Sequence, residues 1–166
     1  MRYFVTCLAL VLLGAGPIDQ LDRFSGTWHS QGTFNETPYS TAGTSSATTI
    51  CNWSADHLFM ICPQSVTLAG KRDDDVAIYS YDDAAGAYRF FNVRPGRITS
   101  TTITVNGNTV TYPFTFTDTG KNVTIRTLNV WKTADLYTWR TEYTIDGGAT
   151  WTLMASGTSQ KIVEAI

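Results

Sequence analysis

From residue 24 onward, apolar and polar residues alternate with period two in short runs, and turn residues interrupt the runs about every ten to twelve positions. This pattern predicts ten strands, at about 24–34, 46–54, 58–67, 75–82, 87–94, 97–105, 109–117, 122–131, 136–144 and 150–160. Only Asp19 to Phe24 reads as a short helical lid, and the Ser/Thr/Gly-rich stretch Thr37–Thr49 reads as a loop running into an edge strand.

The turns fix which side is inside. Asn106-Gly107 is a strong hairpin signal that pairs Val105 with Asn108 and Ile103 with Val110. A turn at Thr119-Gly120 pairs Phe116 with Val123 and Phe114 with Ile125. Both turns put Ile103, Val110, Tyr112, Phe114, Phe116 and Val123 on one face. Thr102, Thr104, Thr111, Thr115 and Thr124 fall on the other. A slip of one residue would scramble that agreement. The turn Asp82–Gly86 sets Tyr81 opposite Tyr88 and Tyr79 opposite Phe90. Consecutive hairpins with one apolar face hide it most simply by closing into a single up-and-down antiparallel barrel of about ten strands. A two-sheet sandwich is the rival, but it usually needs long crossovers that this spacing lacks.

The N-terminus differs in kind. Met1-Arg2, the apolar run Tyr3–Leu13 and the small residues Gly14-Ala15-Gly16 have the layout of a secretory signal peptide, and the run is too short to span a membrane. The expected organisation is a signal peptide at 1–16 and a barrel domain at 17–166, secreted or periplasmic. Without Cys7 the exported chain keeps Cys51 and Cys62. A two-residue turn at Asp56-His57 would place them directly opposite each other, at a separation that a disulfide bridges. Two buried free thiols are the alternative.

Composition supports strands. Threonine supplies 27 of 166 residues, more than the 12 Lys+Arg or the 14 Asp+Glu, and it packs well on pleated sheet. A formal charge of −2 leaves no basic surplus to neutralise a phosphate backbone, so nucleic acid is not an expected partner. Oligomeric state is not readable from these features.

The segment Phe24-Ser25-Gly26-Thr27-Trp28-His29 carries the Gly-x-Trp signature and resembles the calycin superfamily. The order of Cys51–Met60, Tyr81–Tyr88 and Trp139–Trp151 is similar to that of a bacterial lipocalin-like domain of unknown function. The resemblance implies a calycin-like barrel with Trp28 plugging one end. Thr144–Trp151 also resembles the Asp-box hairpin of sialidases, which in a single copy is a turn device. The first strand is faintly similar to the start of avidin, whose later pocket motifs do not follow. Nitrobindin-type barrels, similar at the first strand, hold haem through a late-strand histidine. Here only His29 and His57 occur, and Trp151–Lys161 contains none, so that ligand does not carry over.

The remaining chemistry is sparse. Two histidines on separate strands do not make a zinc site. Asp73-Asp74-Asp75 reads as a solvated turn, and Glu142 reads as an outer-face partner of Arg140. No paired carboxylates, nucleophile elbow or phosphate loop is present, so no catalytic residue, metal or cofactor is expected. What remains is the interior, where Tyr112, Phe114, Tyr137 and Trp139, with Phe116, Thr101 and Thr127, are the expected lining of a ligand site. The expected function is binding of a small hydrophobic or amphipathic molecule without chemistry. A structural or protein-interaction barrel with a filled core is the alternative, and a hydrolase- or isomerase-like enzyme comes third.

Overall fold

A computed structural model describes residues 16–162 of the chain; the predicted signal peptide falls on residues 1–15 and the first described residue, and so lies almost wholly outside them. Among the described residues a 3-10 helix, Pro17–Phe24, precedes ten strands: β1 Gly26–Phe34, β2 Gly43–Trp53, β3 Phe59–Leu68, β4 Lys71–Asp82, β5 Ala87–Arg94, β6 Arg97–Asn106, β7 Thr109–Asp118, β8 Lys121–Thr133, β9 Leu136–Thr144 and β10 Thr152–Lys161. Each strand pairs antiparallel with its neighbours in sequence, and β1 pairs with β10. The sheet therefore closes into an up-and-down barrel without free edges. The sandwich alternative is excluded.

Registers follow turn chemistry closely. Thr119 and Gly120 both take positive φ, 46° and 79°, as a type I′ turn requires, and Phe114 faces Ile125 while Phe116 faces Val123. Tyr79 faces Phe90 and Tyr81 faces Tyr88, with ring centroids 5.2 and 4.9 Å apart. The β6–β7 hairpin differs from expectation. Val105 pairs with Val110 and Asn106 with Thr109, so Gly107-Asn108 occupies the turn. Gly107 alone takes positive φ (56°), which favours glycine at the first central position. The shift amounts to two residues, so both faces are unchanged.

Cys51 and Cys62 form a disulfide between β2 and β3, with Cα atoms 4.1 Å apart. The predicted register holds, but the loop spans four residues, 55–58, closed by Ser54 N–H donating to the Phe59 carbonyl at 2.8 Å. Two further expectations are corrected. The stretch 37–49 is not all loop, because β2 begins at Gly43. Asp73-Asp74-Asp75 is not a turn but lies within β4, with Asp75 buried.

The helix closes one end. Leu21 and Phe24 are buried, Phe24 stacks on Tyr79 at 4.6 Å and meets Trp131 edge-on at 5.0 Å. Trp28 lies beneath and donates its indole N–H to the Phe24 carbonyl at 2.8 Å. Trp53 donates to Asp22, Tyr88 to the Pro17 carbonyl and Arg23 to the Gly107 carbonyl, pinning the helix to three hairpins. Met60, Ile103 and Val110 complete this packed end.

Candidate functional site

Towards the opposite end the lumen is open. A cavity of about 770 Å³ runs from the packed floor to the mouth near Leu68, Ala69 and Lys71. That volume lies within the range of small-molecule sites. Period-two alternation aims every second side chain of each strand into it. Tyr79, Phe90, Tyr112 and Phe114 form an aromatic floor and wall. Phe90 lies edge-on to Tyr112 at 5.1 Å and to Phe114 at 6.3 Å. Trp28, Tyr137 and Trp139 continue the wall around β1 and β9.

The polar groups are few and placed at intervals. The Tyr79 and Tyr112 hydroxyls sit 3.4 Å apart, and the Asn129 amide donates to the Tyr112 oxygen at 3.5 Å. Ser30 donates to Ser159 at 2.8 Å, and the Thr127 and Thr141 hydroxyls are 2.9 Å apart. On the opposite wall, Thr49 donates to the Gln64 side-chain carbonyl at 3.3 Å. Burial pushes the Tyr79 and Tyr112 phenols well above the ordinary tyrosine value and raises that of Tyr137 as well. At Tyr112 the neighbouring Tyr79 adds to the shift, while at Tyr137 hydrogen bonds to Ser159 and Ser30 oppose it. These phenols are neutral donors and acceptors, not bases, at ordinary pH.

Charge is confined to the mouth and one inner edge. Arg94 bridges Asp73 at 2.8 Å and Asp75 at 3.1 Å. The second Asp75 oxygen is buried without a hydrogen-bond partner. Lys71, Arg72, Asp73 and Arg94 all border the cavity. The mouth thus offers both signs of charge above an aromatic interior, an arrangement that can take a molecule with an apolar body and a polar end.

Of the expected lining residues, Tyr112, Phe114, Tyr137, Trp139 and Thr127 border this one cavity. Phe116 does not. It stands at the rim, where Tyr39 of the β1–β2 loop packs edge-on at 5.7 Å. Thr101 is turned into the wall, donating to the Pro113 carbonyl at 2.6 Å. Sequence reasoning missed Asp75, Arg94, Tyr79 and Phe90 as parts of this interior, although the alternation of β4 and β5 carried the signal for the aromatic pair. His29 is exposed on β1, and His57 stacks on Trp53 at 3.9 Å at a hairpin tip; among the described residues no histidine borders the cavity.

Two outer features also take definite form. Glu142 is buried on the outer face and Arg126, rather than Arg140, is its main partner: the guanidinium Nε donates at 2.6 Å, against 3.5 Å from Arg140. Arg126 also lies 3.5 Å above the Trp151 ring. The burial corrects the expected exposed pair. In the Thr144–Trp151 hairpin, Asp146 accepts from the Thr150 N–H at 3.0 Å and from the hydroxyls of Thr144 and Thr150. These bonds hold its carboxyl well below the usual carboxylate range. The segment is a turn device.

No protein-family model and no curated protein matches the sequence. Solved structures do. The chain is similar to Rv2717c from M. tuberculosis, with 12% identity over 90% of this chain and 100% of that one, at a TM-score of 0.59. It also matches EF1p2_mFAP2b bound to DFHBI, at 12% identity, 89% and 100% coverage and a TM-score of 0.44. A protein of unknown function from the DUF3598 family of Nostoc punctiforme PCC 73102 matches at 12% identity, 90% and 100% coverage and a TM-score of 0.26. The last two are too distant in shape to carry an argument. The likeness to Rv2717c bears on fold alone: this chain is similar to it in barrel architecture.

Proposed function

We propose that the protein is an exported barrel that binds one small hydrophobic or amphipathic molecule and performs no chemistry on it. The open aromatic cavity of about 770 Å³ is the observation that carries this reading. Such composition, mostly aromatic with a few hydroxyls and amides, is what a small-molecule site presents. The Gly26-Thr27-Trp28 resemblance supports placing the chain among calycin-like barrels. Export is supported by the apolar leader Tyr3–Leu13 and by the Cys51–Cys62 bond, because disulfides persist in oxidising compartments. The neutral phenols, and the Asp73 and Asp75 carboxylates held in ion pairs by Arg94, favour holding a ligand over transferring protons.

Native mass spectrometry of the protein purified from its own host tests this, together with Trp139→Ala. The expected result is a co-purifying small molecule that the variant loses. Because open space faces part of the Trp139 ring, the variant should cost less than the roughly 3–5 kcal/mol of a truncated core tryptophan. No bound mass, no tryptophan response to a lipid and dye panel and a full core-sized loss of stability would instead favour a filled structural barrel.

A further inference from the structure

We infer that the floor of the cavity is a donor site, where Tyr79, Tyr112 and Asn129 together hold a neutral hydrogen-bond acceptor at the inner end of the ligand. The acceptor is a carbonyl oxygen or a ring nitrogen on an apolar body. The site belongs to the proposed binding function and rests on it: without a ligand in the lumen it has no role. Alternation turns Tyr79 of β4, Tyr112 of β7 and Asn129 of β8 inward, and all three border the cavity. Two strands separate β4 from β7, so the two hydroxyls meet across the interior rather than along the wall. Phe90 packs against both rings, at 5.2 and 5.1 Å, and Phe24 stacks on Tyr79 from the packed end. The surrounding rings thus set where the hydroxyls stand.

The hydrogens of this cluster outnumber its bonds. Two phenols and one carboxamide carry four donor hydrogens. Among the described residues these side chains make two hydrogen bonds, between the Tyr79 and Tyr112 hydroxyls at 3.4 Å and from Asn129 to the Tyr112 oxygen at 3.5 Å. One O–H and one N–H are left without an acceptor. With the amide turned over to accept from Tyr112, its two N–H groups are left instead, so a surplus of two donors stands in either orientation. Both contacts also exceed the roughly 2.7–3.0 Å of a well-made bond. Unmatched donor hydrogens beside buried Tyr79 and Tyr112 cost more than unused lone pairs, and an acceptor that enters with a ligand relieves them. Charge decides that the acceptor is neutral. Lys71, Arg72, Asp73 and Arg94 border the cavity at its mouth end. Arg94 is held there by Asp73 and Asp75, and Asp75 lies four residues, about 13 Å, from Tyr79 along β4. Among the described residues no cation borders the floor, so a carboxylate brought there would lose its hydration without a counter-charge.

Equilibrium dialysis of the mature, oxidised chain against two probes of one shape, 9-fluorenone and fluorene, tests the donor floor. A lumen lined by apolar groups alone favours the hydrocarbon, because the ketone gives up the hydration of its carbonyl on entry. The donor floor predicts the opposite order, with fluorenone bound at least about tenfold more tightly. It also predicts the carbonyl stretch of bound fluorenone at a lower wavenumber than in a hydrocarbon solvent. Tyr79→Phe/Tyr112→Phe/Asn129→Leu removes every donor and keeps the bulk, and in this variant the ketone preference and the stretch shift should both disappear while fluorene still binds. Circular dichroism checks the fold; should the triple variant fail to fold, Tyr79→Phe/Tyr112→Phe takes its place, with a ketone preference reduced at least about threefold. Equal binding of the two probes, a preference for fluorene or an unshifted stretch overturns the donor floor and leaves the binding function standing. So does a ketone preference that the variant keeps in full. Tighter binding of fluorene-9-carboxylate than of fluorenone overturns it in favour of an acid. A native chain that takes up none of the three removes the binding function and the donor floor together.

Discussion

The indole of Trp139 lies flat against the bare backbone of Gly157, its cross-strand partner. A methyl group built on Gly157 would meet the ring at 2.5 Å and, closer still, the Gln31 backbone carbonyl; one on Gly32, which faces Gly157 across β1 and β10, would meet the same ring and the Ser156 carbonyl. Two glycines thus let a large ring rest on the wall instead of filling the lumen. Gly157→Ala should force both the indole and the β1 backbone at Gln31 to give way, cost at least about 1–3 kcal/mol in urea unfolding and shift tryptophan emission. Unchanged emission and stability would show that the ring does not depend on this contact.

The disulfide makes a second prediction. Thiol titration of the denatured, non-reduced mature chain should find no free sulfhydryl. Cys51→Ser/Cys62→Ser should lower stability by roughly 2–3 kcal/mol, as expected for opening so short a loop. Two titratable thiols in the native-sequence protein would contradict the bond.

The buried phenols predict alkaline behaviour. Tyr79, Tyr112 and Tyr137 ionise later in the folded than in the unfolded chain. Above the ordinary tyrosine value of about 10, the unfolded chain therefore binds fewer protons, and stability falls as pH rises. Their contribution is complete below that value. Absorbance at 295 nm should show a late group of phenolates appearing together with unfolding. A single smooth titration of all tyrosines in a folded chain would contradict this.

Arg126 and Arg72 should behave differently when replaced by alanine. Arg126→Ala leaves the buried Glu142 carboxylate with only the longer contact to the exposed Arg140 and uncovers Trp151, at a cost of about 2–4 kcal/mol. Arg72→Ala breaks a solvated pair and should leave the thermal midpoint nearly unchanged. Equal effects in the two variants would refute the distinction.

Much of the barrel was legible because backbone chemistry at the turns repeats what alternation says. Thr119-Gly120 and Asp82–Gly86 each fix a register, and the faces agree. Asn106-Gly107 misled by two residues because glycine can serve at either central turn position, and the faces survived because two is the strand period. Charge hid the start of β4: three successive aspartates resemble a solvated turn until Arg94, a residue of the next strand, neutralises the inward pair. Glu142 reads correctly as an outer-face residue, but its burial is hidden for the same reason, since its main partner Arg126 lies on the neighbouring strand β8. The openness of the lumen was not legible at all. An inward list containing Tyr112, Phe114, Tyr137 and Trp139 fits a filled core equally well, and the difference lies in where Gly32 and Gly157 let one indole rest.

The central claim is that this lumen takes a ligand, and filling it is the most direct test. Ala47 borders the cavity opposite Ser30 of β1, so Ala47→Phe should occupy the space while preserving the sheet. Titration with the neutral dye Nile red should show one saturable equivalent on the native chain, with energy transfer from tryptophan. In a folded Ala47→Phe variant the affinity should drop at least about tenfold. Equal binding by both chains would place the dye on the outer wall, and no binding to the native chain would leave the lumen without the assigned role; either result would contradict the account.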